Sequence, residues 1–108
     1  MDIKPLDMKE SRYYTRWLKK LRDPRAKAHI RARVRRLSIG NPGDHKDFGD
    51  VSELRIDHGP GYRVYYTMHG EKIILLLVGG DKSTQNRDLK TAREMVRNLK
   101  EGKDDDRY

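Results

Sequence analysis

The chain has 108 residues, enough for one domain, and with 34% apolar and 39% charged residues its core must be small. The absence of cysteine excludes a disulfide scaffold and cysteine-based zinc sites, and the longest apolar run, Ile73 to Val78, falls far short of the ~20 residues that span a bilayer. The opening MDIKPLDM lacks the charged-then-apolar pattern of a signal sequence, so a soluble, cytoplasmic protein is expected, and its formal net charge is +8.

In chain order, residues 2 to 6 supply a short edge strand, with Pro5 limiting its pairing. Ser11 reads as a helix N-cap, and Tyr14, Trp17, Leu18 and Leu21 follow at helical spacing. Asp23-Pro24 opens a second helix to about Ile39, with Ala26, Ile30, Val34 and Leu37 on one side and Lys27, Arg31 and Arg35 largely on the other. Residues 12 to 36 hold eleven Lys or Arg against the single acid Asp23, a block of +10, so the rest of the chain nets −2 against the total of +8. Such a block is either a solvated helical face or a footprint for phosphate or an acidic protein.

After the loop Gly40 to Asp44, Val51 to Ile56 and Tyr62 to Met68 read as strands joined by the turn Asp57 to Gly61. KIILLLV, residues 72 to 78, suits a central strand buried on both faces. Beyond Gly79-Gly80-Asp81, Ser83 or Thr84 caps a last helix whose buried face is Leu89, Ala92, Met95, Val96 and Leu99. The expected fold is α+β in the order β-α-α-β-β-β-α: a small antiparallel sheet with an N-terminal αα-hairpin and a C-terminal helix. Residues 1–100 form the single domain, and the tail 101–108, EGKDDDRY, is expected to be disordered.

Chemistry concentrates in ELRIDHGPGYRVYY, residues 53 to 66. Alternation puts Arg55 on the face away from Leu54 and Ile56, and Arg63 and Tyr65 on one face together. Whether Arg55 and Arg63 meet depends on hairpin register, and a solvated face with Glu-Arg pairs is the plainer alternative. Lys82 follows the glycine pair, but GGDKST lacks the glycine spacing of a phosphate-binding loop. His29 and His69 read as surface residues, whereas His45 and His58 lie in loops from which a proton could be transferred. The acids Asp47, Asp50, Glu53 and Asp57 match no metal-ligand spacing, so neither metal nor cofactor is expected.

Three segments, DPRAKAHIRARVRRLSIGNPGDHKDFG, VSELRIDHGPGYRVYY and ILLLVGGDKSTQNRDLKTA, together resemble the RelE/ParE toxin superfamily. The likeness is to its addiction module killer branch, the HigB-like or phage Gp49-like toxins, and it spans roughly residues 10 to 100. The resemblance implies the toxin of a type II toxin-antitoxin pair, whose antitoxin partner is often a helix-turn-helix DNA-binding protein. RelE and HigB cut mRNA in the ribosomal A site, which makes a ribosome-dependent endoribonuclease, with ribosome and mRNA as partners, the leading expectation. ParE relatives share the fold but inhibit DNA gyrase without catalysis, and an inactive toxin-derived binding module is a third possibility.

Carried over residue by residue, the arginine of GYR is Arg63, placed at the scissile phosphate, and the basic residue ending the central strand is Lys82. Arg55 matches the basic residue on the preceding strand. The tyrosine that RelE carries near its C-terminus falls near Asp88, where this chain has none; this departs from the RelE pattern, and the proton-transfer role is left between Tyr65, His58 and neither. Lys27, Arg31, Arg35 and Lys46 are expected to contact RNA.

Overall fold

The computed structural model describes residues 4–103 and 107. Pro5 has no amide hydrogen to give a ladder, and Leu6 N donates instead to Ser38 O at 2.8 Å. The first strand, β1 (Asp7–Glu10), therefore starts later than residues 2 to 6, of which 2 and 3 lie outside the described residues. Ser11 then makes the link between sheet and helix. Its N–H donates to Leu76 O and its hydroxyl to Leu77 O, while the same oxygen accepts from Tyr14 N at 3.1 Å and caps α1 (Arg12–Lys20). Asp23 caps α2 (Pro24–Ser38) by accepting from Arg25 N at 2.9 Å, with Pro24 in the first turn, where its missing donor costs nothing.

The remaining elements are β2 (His45–Asp47), β3 (Ser52–Ile56), β4 (Tyr62–His69), β5 (Ile73–Asp81), a 3₁₀ turn Lys82–Thr84 and α3 (Gln85–Lys100). The sheet has five strands in the order β1-β5-β4-β3-β2. The class is α+β as expected, with two differences. β1 pairs parallel to β5, so the sheet is mixed, and β2 adds an edge strand. His45-Lys46-Asp47 is polar throughout and carries no apolar alternation, so periodicity is silent there.

Helices cover both faces. Tyr14, Leu18, Ile30 and Leu37 from α1 and α2 pack on Leu54, Val64, Ile74 and Leu76; Ala92, Met95 and Val96 from α3 pack on Tyr65, Leu75 and Leu77. β5 is thus buried on both sides, which is why its sequence reads as a continuous apolar run. Its pairing slips opposite Tyr65 and Tyr66, which face Val78 and Leu76, leaving Leu77 as the extra residue of a bulge. Past the bulge, two glycines admit bulky neighbours: a Cβ on Gly79 would lie 2.0 Å from the Trp17 indole, and one on Gly80 would lie 1.9 Å from Asp88 Oδ2. Of the tail, Arg107 pairs with Glu94 and lies over the Tyr13 ring, while 104–106 and 108 fall outside the described residues.

Candidate functional site

The register of β3 against β4 answers the question that alternation leaves open. Arg55 stands directly opposite Arg63, and Glu53 opposite Tyr65. Residues directly opposite share a face, here the α3 side, so two guanidinium groups meet where like charges repel. A buried carboxylate offsets that repulsion. Glu53 is fully buried; its Oε1 accepts from Arg55 Nε at 2.9 Å and lies 3.7 Å from Arg63 Nε. Its Oε2 accepts from Gln85 Nε2 at 2.9 Å, which ties the cluster to the first turn of α3. Glu53 holds the Arg55 guanidinium above its ordinary pKa, chiefly through that hydrogen bond.

Further contacts fix the two arginines. Arg63 Nη1 donates to the carbonyls of Tyr62 at 3.1 Å and Gly61 at 3.3 Å. Arg33, on α2, donates to Arg55 O at 2.6 Å and to the Pro42 and Asp44 carbonyls at 2.8 Å, pinning β3 to the loop before β2. Lys82 is exposed beyond the end of β5, beside Arg63: a Cβ on Gly61 would stand 3.5 Å from Arg63 Nη1 and 3.6 Å from Lys82 Cβ. The 3₁₀ turn that carries Lys82 is capped by Asp81, whose carboxylate accepts from Ser83 N at 2.8 Å. Thr84 occupies the N-cap position of α3 as expected but makes no capping bond, because its hydroxyl donates to the buried Asp88.

Lys46 is opposite Glu53 on β2 and so belongs to this same face, with its ammonium 5.0 Å from the centre of the Phe48 ring. Lys27, Arg31 and Arg35 lie elsewhere, at successive i, i+4 positions on α2; Arg31 and Arg35 are exposed, while Lys27 is half-buried with its ammonium donating to Lys19 O at 3.3 Å. Tyr65 faces the cluster from beneath but is fully buried, and its hydroxyl makes no well-formed hydrogen bond. Burial first, and then the Glu53 carboxylate, push the Tyr65 phenol above its ordinary pKa. His58 is not brought to this face. Its Nε2 lies 3.0 Å from Asp23 Oδ2, and its ring lies tilted against His29 at 4.8 Å between centroids, both residues of the α2 region. That hydrogen bond is the main reason the Asp23 carboxyl lies below its ordinary pKa.

Gln85, Arg33 and Asp88 are the residues that sequence reasoning missed, whereas the Glu-Arg pairing of the plainer alternative is present, on a buried rather than a solvated carboxylate. Glu53 had a signal: it precedes Arg55 by two on a strand, and so shares its face. Gln85 and Arg33 reach the hairpin from distant elements and had none. Among the described residues no group of three or more His, Asp or Glu is placed to hold a metal ion, and no helix is long and apolar enough to cross a membrane.

A mixed sheet flanked by helices, with cations gathered over a buried acid on one strand pair, is compatible with the RelE-like class of small toxins. The chain belongs to the phage-derived Gp49-like family (DUF891), whose model matches residues 2–101, and with it to the RelE/HigB-like group of addiction module killer proteins. It is similar to an uncharacterized protein of Haemophilus influenzae, with 46% identity over 95 residues, covering 87% of this chain and 96% of that one. No solved structure matches. Membership of this family suggests a toxin of a toxin-antitoxin system and implies a cognate antitoxin as partner.

Proposed function

We propose that the protein is a ribosome-dependent endoribonuclease that cleaves mRNA, acting in the cytoplasm until a helix-turn-helix antitoxin sequesters it. The observation that carries this reading is the pairing of Arg55 with Arg63 over buried Glu53, which holds two cations rigidly on one face. In the reaction a ribose 2′-oxygen attacks the adjacent phosphorus, the bond to the 5′-oxygen breaks, and a 2′,3′-cyclic phosphate and a 5′-hydroxyl result. Arg63 and Arg55 hold the scissile phosphate and stabilise the charge of the phosphorane. Cations already fixed in place reorganise little as that charge develops, and each such donor is worth about 3 kcal/mol. Lys82, beside Arg63 and exposed, gives a proton to the departing 5′-oxygen, and the 2′ proton passes to water.

Tyr65 supports the cluster from below without touching RNA, and His58 acts as a latch between the β3–β4 turn and α2. Lys46 extends the RNA track along β2, and the α2 cations Lys27, Arg31 and Arg35 contact ribosomal RNA phosphates. Mapping mRNA 5′ ends after brief induction tests the reading. New ends at translated codons are expected, and Arg63→Ala and Lys82→Ala should abolish both ends and growth arrest while antitoxin binding persists. Intact messages in arrested cells, with DNA supercoiling blocked, would mean a ParE-like gyrase inhibitor instead.

A further inference from the structure

A second basic surface lies apart from the Arg55–Arg63 pair. Where β5 ends, α1 and α3 flank a cleft of about 400 Å³ whose floor is Val78 and Gly79. Arg16 and Lys20, one helical turn apart on α1, stand on one wall; Arg87, with a side chain 75% exposed, stands on the other. The aromatic rings Tyr13 and Trp17 line the same space; Arg107 lies over the Tyr13 ring, and the Trp17 indole lies against Gly79. The acid present, Asp88, is buried and engaged by Thr84 and Arg87. Arg87 also lines a neighbouring cleft of about 390 Å³ that begins at Lys82, so one cationic track joins the two regions.

We infer that the cleft between α1 and α3 binds a single-stranded RNA segment, with Arg16, Lys20 and Arg87 on its phosphates and Trp17 against its bases. Cations interleaved with aromatic rings are what a flexible polyanion with stackable bases requires. A protein helix would need a wider apolar floor than Val78 and Gly79 provide. The inference rests on the RNA-directed reading of the Arg63 face and extends it: the shared Arg87 gives the strand held at Lys82 a path onto α1.

Trp17 is the sole tryptophan of the chain, so its emission reports on this cleft directly. The full-length Arg63→Ala protein, silent in cleavage by the reading above, is titrated with a short oligoadenylate, with inorganic polyphosphate and with an acidic peptide. Oligoadenylate should quench Trp17, whereas polyphosphate should compete without quenching. Adding Arg16→Ala and Lys20→Ala, both exposed positions, should weaken binding about tenfold at low salt and lower the salt slope by about 0.7 per cation removed. An unchanged melting temperature confirms that those variants fold, and Arg16→Lys with Lys20→Arg should restore binding. Absence of quenching, equal quenching in the doubly neutralised protein, equal quenching by polyphosphate, or preference for the acidic peptide each overturns the inference. Oligoadenylate binding by a toxin that leaves messages intact would overturn the nuclease reading and leave this one standing; mRNA cleavage without oligoadenylate binding would do the reverse.

Discussion

Glu53 braces Arg55 and Arg63 while itself fully buried. Burying a carboxylate is costly unless it is paired and hydrogen-bonded, and here two arginines and Gln85 meet both of its oxygens. Glu53→Ala should therefore destabilise the fold by about 3 kcal/mol, the scale for removing one partner of a buried ion pair, as read by urea denaturation. It should also cost activity beyond that loss, because Arg55 and Arg63 then repel across the strands. Glu53→Gln keeps the shape and an acceptor, and should fall between wild type and alanine in both readouts. Equal stability of all three proteins would show that the carboxylate does not hold the pair. Asp23 is a second residue with two duties, capping α2 and bonding His58. Asp23→Ala should lower the melting temperature through loss of the α2 cap. Because the Asp23 carboxyl is depressed in the folded protein, its contribution is present above the unfolded value near 3.8 and is lost as pH falls through the folded value below it.

At the scale of elements, how legible the sequence is follows from how local the signal is. α1, α2 and α3 are readable because caps and 3.6-residue periodicity sit within a few residues, as Ser11, Asp23-Pro24 and Leu89 to Leu99 do. β5 is readable because a strand buried on both faces has no polar alternation. β2 and the parallel pairing of β1 are not readable, since their partners His45↔Leu54 and Asp7↔Ile73 are set by the tertiary fold. Of the candidate site, Arg55, Arg63 and Lys82 are legible from the strands and the resemblance. Their convergence depends on a register, and Gln85 arrives across 32 residues with no local mark. The glycine pair shows how an element serves the site. Gly80 lies opposite Arg63 and has no space for a Cβ beside Asp88. Gly80→Ala should cost about 1–3 kcal/mol by overpacking and displace the Lys82 turn, so stability and toxicity should fall together. An alanine protein of unchanged melting temperature would show that Asp88 is free to yield.

For the molecule as a whole, the sheet separates two environments. The α1–α2 face carries the α2 cations and the His58–Asp23 latch, while the α3 face carries Lys46, Arg55, Arg63 and Lys82. Both cores include tyrosines whose burial raises their pKa above the ordinary phenol value: Tyr14 and Tyr66 under α1 and α2, Tyr65 under α3. The folded state keeps these protons at pH values where the unfolded chain releases them, so stability is intact below about 10 and declines as pH rises beyond it. Denaturation midpoints across that range should fall, and Tyr65→Phe should flatten the decline. The central claim is that Arg63 and its carboxylate-braced neighbour do phosphoryl chemistry on translated mRNA. Its most direct test is a single-turnover assay on purified ribosomes programmed with a defined message. The prediction is cleavage at the A-site codon in the presence of ribosomes alone among templates tested, slowed about 10²–10³-fold by Arg63→Ala, the range for loss of one preorganised donor. An intact message with wild-type protein, or cleavage undiminished by Arg63→Ala, would contradict it.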